Sequence, residues 1–164
     1  MEAKINVLLI GESWFIQTTE TKGFDSFTVG GYGTGTQYIE KVLNSDTTTF
    51  MHMPAHMVDS QFPDNVRDLL KYEVIIISET FFGCQAKPNR LMLLHDYVKK
   101  GGGLIMCGGY MSFMGIEGKG RYHGTVLEEI LPVTFQCGDD RIECPEGIYF
   151  EADPHSHPVL RGMP

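Results

Sequence analysis

A chain of 164 residues suits one domain, long enough to bury a core without disulfide or metal staples. An apolar fraction of 42% and a charged fraction of 21% are those of an ordinary globular protein. A net charge of -8 and a pI near 5.1 argue against nucleic acid and anionic membrane surfaces as partners.

Ile5–Ile10 is a short apolar run that ends in Gly11-Glu12 and predicts a buried parallel strand. No run approaches the roughly 20 residues of a membrane span, and this one lacks the form of a signal peptide, so a cytoplasmic location is expected. From Glu12 to Gly35 the chain shows neither helical nor strand periodicity, and such a long connection is usually functional. Within it, Gly30–Thr36 precedes a helix and offers either an anion site at the helix N-terminus or a mobile glycine-rich loop. It is not a Walker A loop, having no Gly-Lys-Ser/Thr.

Thr36–Leu43 predicts a helix with Tyr38, Ile39, Val42 and Leu43 on one face, and Thr48–Met53 a second strand. Pro63–Tyr72 carries helix polarity signals: proline near the start, acidic residues early and Lys71 late. Val74–Ser78 is a β-branched buried strand. Asn89–Lys100 predicts another helix, ended by Gly101–Gly103, and Leu104–Cys107 the next strand. Strands alternating with helices at this spacing predict a parallel sheet with right-handed crossovers, a flavodoxin-like α/β three-layer sandwich over residues 1–110. Residues 111–164 predict a loop and β-rich appendage, with short strand-like pieces at Val133–Cys137, Arg141–Cys144 and Ile148–Glu151.

The four cysteines, Cys84, Cys107, Cys137 and Cys144, form no CxxC pair, so reduced thiols are expected rather than a zinc site. Cys137 and Cys144 could face each other across a hairpin. Among the histidines, His52, His56, His155 and His157 with Asp153 would be the metal candidates, but Pro154 and Pro158 frame a turn there and no metal is expected. A flavin loop would follow the first strand directly, where this chain has Glu-Ser-Trp-Phe, and no cofactor is expected.

Several segments resemble the class I glutamine amidotransferase-like superfamily, in particular its branch of uncharacterised cytoplasmic proteins. They are NVLLIGESWF, GFDSF…GGYGTGTQYIEKVL, YEVIIISE and GGGLIMCGGYMSFMGIEGKGRYHGTVLEEILPV. The tail DPHSHPVLRGMP is similar to the His-Pro-x-x-x-Gly segment of related trehalose-utilisation-type proteins. The resemblance implies one glutamine amidotransferase-like domain over 1–164. Working glutaminases of this superfamily carry a Gly-x-Cys-x-Gly elbow and a later His-x-Glu. This chain has Ile105-Met-Cys-Gly-Gly109 and no His-x-Glu. Similar proteins also continue with strands that complete the sheet, so the chain is expected to be a truncated member or a fragment.

Ligands of open α/β sheets bind at the carboxyl ends of the strands. Glu12 and Trp14 after the first strand, Glu79 after the third, and Gly108, Gly109 and Tyr110 after the fourth are therefore candidate ligand-binding residues. Arg121 joins them from a glycine-flanked loop that could close over a substrate. The expected ligand is a small polar metabolite, and by analogy with the trehalose-utilisation-type proteins a sugar derivative. Two rival readings stand beside it. In one, Cys107 is a nucleophile with His123 as base and the Gly108 and Gly109 N–H groups as oxyanion hole; the bland alternative for Cys107 is a core thiol. In the other, the chain is a homo-oligomeric assembly module that pairs through sheet edges.

Overall fold

Four parallel strands stand in the order Thr48–Met53, Ile5–Gly11, Val74–Ser78, Gly103–Met106, with the first strand of the chain central and flanked by the second and third of the parallel set. The structure, a computed structural model, describes residues 4–81, 83, 89–149, 151 and 157–161. The elements are β1 (Ile5–Gly11), β2 (Ser13–Lys22), β3 (Asp25–Thr34), α1 (Thr36–Leu43), β4 (Thr48–Met53), α2 (Val58–Gln61), α3 (Val66–Leu69), β5 (Val74–Ser78), α4 (Arg90–Lys99) and β6 (Gly103–Met106). This is the expected α/β sandwich with flavodoxin-like strand order. The order reverses between β1 and β5, which puts a crevice at their carboxyl ends.

β1 is apolar on both faces because both are covered. Leu8 and Ile10 join Ile75 and Ile77 against Val58 of α2, Leu69 of α3 and Leu91, Leu94 and Tyr97 of α4. Val7, Leu9 and Ile76 face the other way, toward Ile39, Leu43, Phe50 and Cys107. Each such buried aliphatic side chain contributes about 1.5–3 kcal/mol. On the second face α1 lies over one half of the sheet, and Ile105 of β6 is left half exposed.

The glycine triplet after α4 is built for packing. Gly101, at φ 98°, turns the chain out of the helix, and its N–H donates to Val98 O at 2.9 Å. A Cβ at Gly102 would overlap the Tyr97 ring. Tyr97 is fully buried, and its hydroxyl donates to the carbonyls of Tyr72 (3.0 Å) and Gly103 (3.2 Å).

Three expectations change. The connection from Glu12 to Gly35 is a ten-plus-ten-residue antiparallel hairpin, turned by Gly23 at φ 64° with Phe24 beside it. Glycine at the first central position of a two-residue loop is the signal that identifies such a turn. Both faces of the hairpin meet solvent over most of its length, so no apolar-polar alternation marked it. Gly33 and Gly31 lie opposite Trp14 and Ile16, and the Gly30–Thr34 stretch is strand rather than a loop. The helix expected over Pro63–Tyr72 is reduced to the single turn of α3, capped by the Asn65 side chain accepting from Asp68 N–H at 3.0 Å. Finally, among the described residues the pieces at 133–137, 141–144 and 148–149 form no ladder. Their backbone is held by carboxylates instead: Phe135 N–H donates to Glu128, and Arg141 N–H to Asp139.

Candidate ligand site at the strand ends

β1 ends in Gly11 at φ 97°, where a Cβ would overlap Ser78 O and Thr80 Oγ1. Only glycine fits, and the close approach sends the chain into Glu12 at φ 47°. Glu12 N–H donates to Ser78 O at 2.8 Å, and Thr34 Oγ1 donates to Glu12 O at 2.8 Å, so strand and hairpin ends hold the residue in its left-handed conformation. Its carboxylate accepts from Ser78 Oγ at 2.5 Å and lies against Gly35, the residue before α1. A non-glycine residue forced into this region stores about 1–3 kcal/mol, which the surrounding hydrogen bonds must offset.

Glu79, one residue past β5, has the same conformation at φ 49°. Its carboxylate turns the other way and accepts from Tyr110 N–H at 2.8 Å and Met111 N–H at 3.2 Å. Gly109 is required there, since a Cβ would overlap Glu79 Oε1. The two carboxylates expected to share a crevice thus do different work. Glu79 fills the anion-binding turn after β6 with the chain's own charge, whereas Glu12 faces a pocket.

That pocket has a volume of about 170 Å³ and is lined by Leu9, Ile39, Ile76, Tyr38, Glu12, Ser78, Gly35 and Cys107. Its walls are mainly apolar, with Glu12 and Ser78 as the convergent polar groups, the composition of a small-molecule site. Cys107 continues β6, its N–H donating to Ile77 O at 2.9 Å, and its half-buried side chain packs on the α1 face of the sheet. Burial pushes the Cys107 thiol above its ordinary range, and the Glu12 charge adds to the effect.

A family model described as "Putative glutamine amidotransferase", GATase1_like, matches residues 6–164. The chain belongs to this glutamine amidotransferase-like family. It is similar to "Cytoplasmic Protein STM3548 from Salmonella typhimurium" at 45% identity and a TM-score of 0.88, covering 96% of this chain and 69% of that one. It is also similar to "Cytoplasmic Protein STM1381 from Salmonella typhimurium LT2" at 38% identity and a TM-score of 0.83, with the same coverage. A comparison with curated proteins finds no match.

For this glutamine amidotransferase-like chain the remaining candidates fall in different places. Trp14 lies on β2 over Gly33 and is not in the pocket lining. Gly108 is exposed. Gly109 and Tyr110 line a separate open depression with Arg141, whose guanidinium sits 5.5 Å from the Tyr110 ring centroid. Arg121 is exposed at φ 63° and absent from both linings. Its neighbour Tyr122 is fully buried and anchors the loop by donating to Thr80 O.

His123 is not hydrogen-bonded to Cys107; its ring meets Phe135 O, Glu128 and Cys137. His52 and His56 are structural, one bonded to Gly11 O at 2.7 Å and the other packed on Phe15 and Tyr32. Among the described residues no group of three or more His, Cys, Asp or Glu is placed to hold a metal ion. Cys84, His155 and Asp153 lie outside the described residues. Among those residues, too, no helix is long and apolar enough to cross a membrane. The sequence reading puts Gly35 in the Gly30–Thr36 anion-site candidate and Tyr38 on a helix face, and it places neither in this pocket.

Proposed function

We propose that this glutamine amidotransferase-like chain binds a small polar metabolite in the pocket at the ends of β1, β5 and β6 and does not run standard glutaminase chemistry. The observation that carries the reading is the Glu12 carboxylate, held left-handed at the reversal of strand order and facing a mainly apolar pocket. A carboxylate accepts hydrogen bonds only, so the ligand presents hydroxyl or amine donors on a body with an apolar face. A sugar derivative or polyol has that character. Cytoplasmic residence, which the names of both structural relatives state, suits such a metabolite binder.

The absence of glutaminase chemistry rests on two features: the Cys107 thiol is pushed toward its neutral form, and the His123 ring is engaged elsewhere. Titration calorimetry against a panel of sugars, polyols and amino compounds tests the reading. One class should bind, and Glu12→Gln should weaken it at least about tenfold, the worth of a hydrogen bond to a charged group. Failure of the whole panel, or a Glu12→Gln protein that binds as well as the parent, defeats it.

A second reading, homo-oligomeric assembly, is favoured by the β2–β3 hairpin. Trp14, Ile16, Phe27 and Val29 share one of its faces by register, and each is more than two-fifths exposed. A two-stranded ribbon is marginal by itself, and an exposed apolar stripe of this kind fits a contact with a second copy.

A further inference from the structure

The loop after Tyr122 assembles three side chains that the strand-end pocket does not use. His123 sits between Arg121 at φ 63° and Gly124 at φ 71°, next to the buried Tyr122 anchor. Its Nδ1 is 3.0 Å from Phe135 O and 3.4 Å from Glu128 Oε1. A carbonyl cannot donate, so the proton of that bond is on Nδ1, and Nε2 carries the lone pair. Nε2 faces Cys137 Sγ at 3.4 Å. Glu128 is held in turn, since Oε1 accepts from Phe135 N–H at 3.0 Å and the neighbouring Leu127 is fully buried. The result is a His–Cys pair with its base oriented by the Phe135 carbonyl, the Glu128 carboxylate close beside the ring, and the thiol exposed at the surface.

We infer that Cys137 is a reactive thiol served by His123, and that its co-reactant is a small-molecule disulfide. His123 Nε2 takes the Cys137 proton, and the imidazolium that forms is stabilised by Glu128 and the Phe135 carbonyl. Cys137 Sγ then attacks one sulfur of the disulfide. A Cys137 Sγ–S bond forms and the S–S bond of the co-reactant breaks. Its electron pair departs on the second sulfur as a thiolate, which collects the proton held by His123. The cysteine is oxidised and the disulfide reduced by the same two electrons.

Thiol exchange suits this place better than acyl transfer. A tetrahedral acyl intermediate needs free N–H donors, and four backbone donors of the adjoining loops are taken by carboxylates. Asp140 accepts from Met114 N–H (2.9 Å) and Gly115 N–H (2.7 Å), and Asp139 from Glu117 N–H (2.8 Å) and Arg141 N–H (3.2 Å). Exchange at a disulfide sulfur builds no oxyanion and needs none of them.

Cys144 supplies an internal reference, being exposed like Cys137 but with no histidine among the described residues bonded to it. The full chain is incubated with hydroxyethyl disulfide at neutral pH, and mixed-disulfide formation at each cysteine is timed by peptide mass spectrometry. Cys137 should react at least about tenfold faster than Cys144, within the range general bases supply. His123→Gln should bring it down to the Cys144 rate, and Glu128→Gln, which keeps the bond from Phe135 N–H but drops the charge, to a value between. Equal rates at the two cysteines of the parent protein overturn the inference without any variant. So does a His123→Gln protein, still folded by circular dichroism, in which the ratio is unchanged.

Discussion

Glu79 and Gly109 occupy one another's space by design of the turn: the carboxylate that accepts Tyr110 N–H at 2.8 Å sits where a Cβ of residue 109 would be. The relationship explains why the glycine pair follows β6, and it turns an anion-binding corner into an internal clamp between two loops. Gly109→Ala must expel the carboxylate from both N–H groups. Urea unfolding should show a loss of about 1–3 kcal/mol, the cost of leaving such donors unpaired in a partly buried turn. Glu79→Ala should lose a similar amount. An unchanged midpoint in both variants would refute the clamp.

Cys107 should be slow to alkylate. Its thiol is held neutral by burial first and by the Glu12 charge second, so native protein treated with iodoacetamide below pH 9 should modify Cys137 and Cys144 before Cys107. Glu12→Gln removes the second cause, and Cys107 should then react faster while remaining slower than in unfolded protein. Fast Cys107 alkylation below pH 7 in the parent chain would revive the nucleophile reading.

Tyr97 sets an alkaline limit to stability. Burial pushes its hydroxyl up to about 12, and the Glu73 charge adds to it. The folded state therefore keeps the proton more tightly than the unfolded chain, whose tyrosine titrates near 10. The contribution is complete below pH 10 and is lost as pH rises through 12. Tyr97→Phe leaves the Tyr72 and Gly103 carbonyls without this donor. It should cost about 1–3 kcal/mol at pH 7 and flatten the decline between pH 10 and 12. An identical alkaline limb in variant and parent would contradict this account.

The hairpin should govern association. In sedimentation at several concentrations, the parent chain is expected to gain mass with concentration. Phe27→Ser with Val29→Thr, changes confined to the exposed face, should abolish the gain while leaving the melting temperature within a few degrees. A monomer at every concentration removes the assembly reading, and a variant that still associates moves the contact to another surface.

The parallel core could be read in the sequence because buried strands and helices each have their own period. β1, β5 and α4 appear within a residue or two of their observed bounds, since both faces of the strands and one face of the helix are covered by apolar neighbours. The hairpin could not be read that way: solvent on both faces removes the alternation, and only Gly23 and the glycines facing Trp14 and Ile16 record it. The pieces at 133–137 and 141–144 look like strand in the sequence but join no ladder, because Glu128 and Asp139 hold Phe135 and Arg141 N–H instead, and side-chain partners leave no period.

The candidate site divides along the same line. The amino-acid sequence alone determined which residues stand at the strand ends, because strand termini follow from where apolar runs stop. It could not say which way a side chain turns there. Only the tertiary structure sends Glu12 into a pocket and Glu79 onto Tyr110, or pairs His123 with Cys137 instead of Cys107, because those choices depend on contacts between segments 14 to 66 residues apart. Local chemistry is written along the chain; direction in space is set by what packs against it.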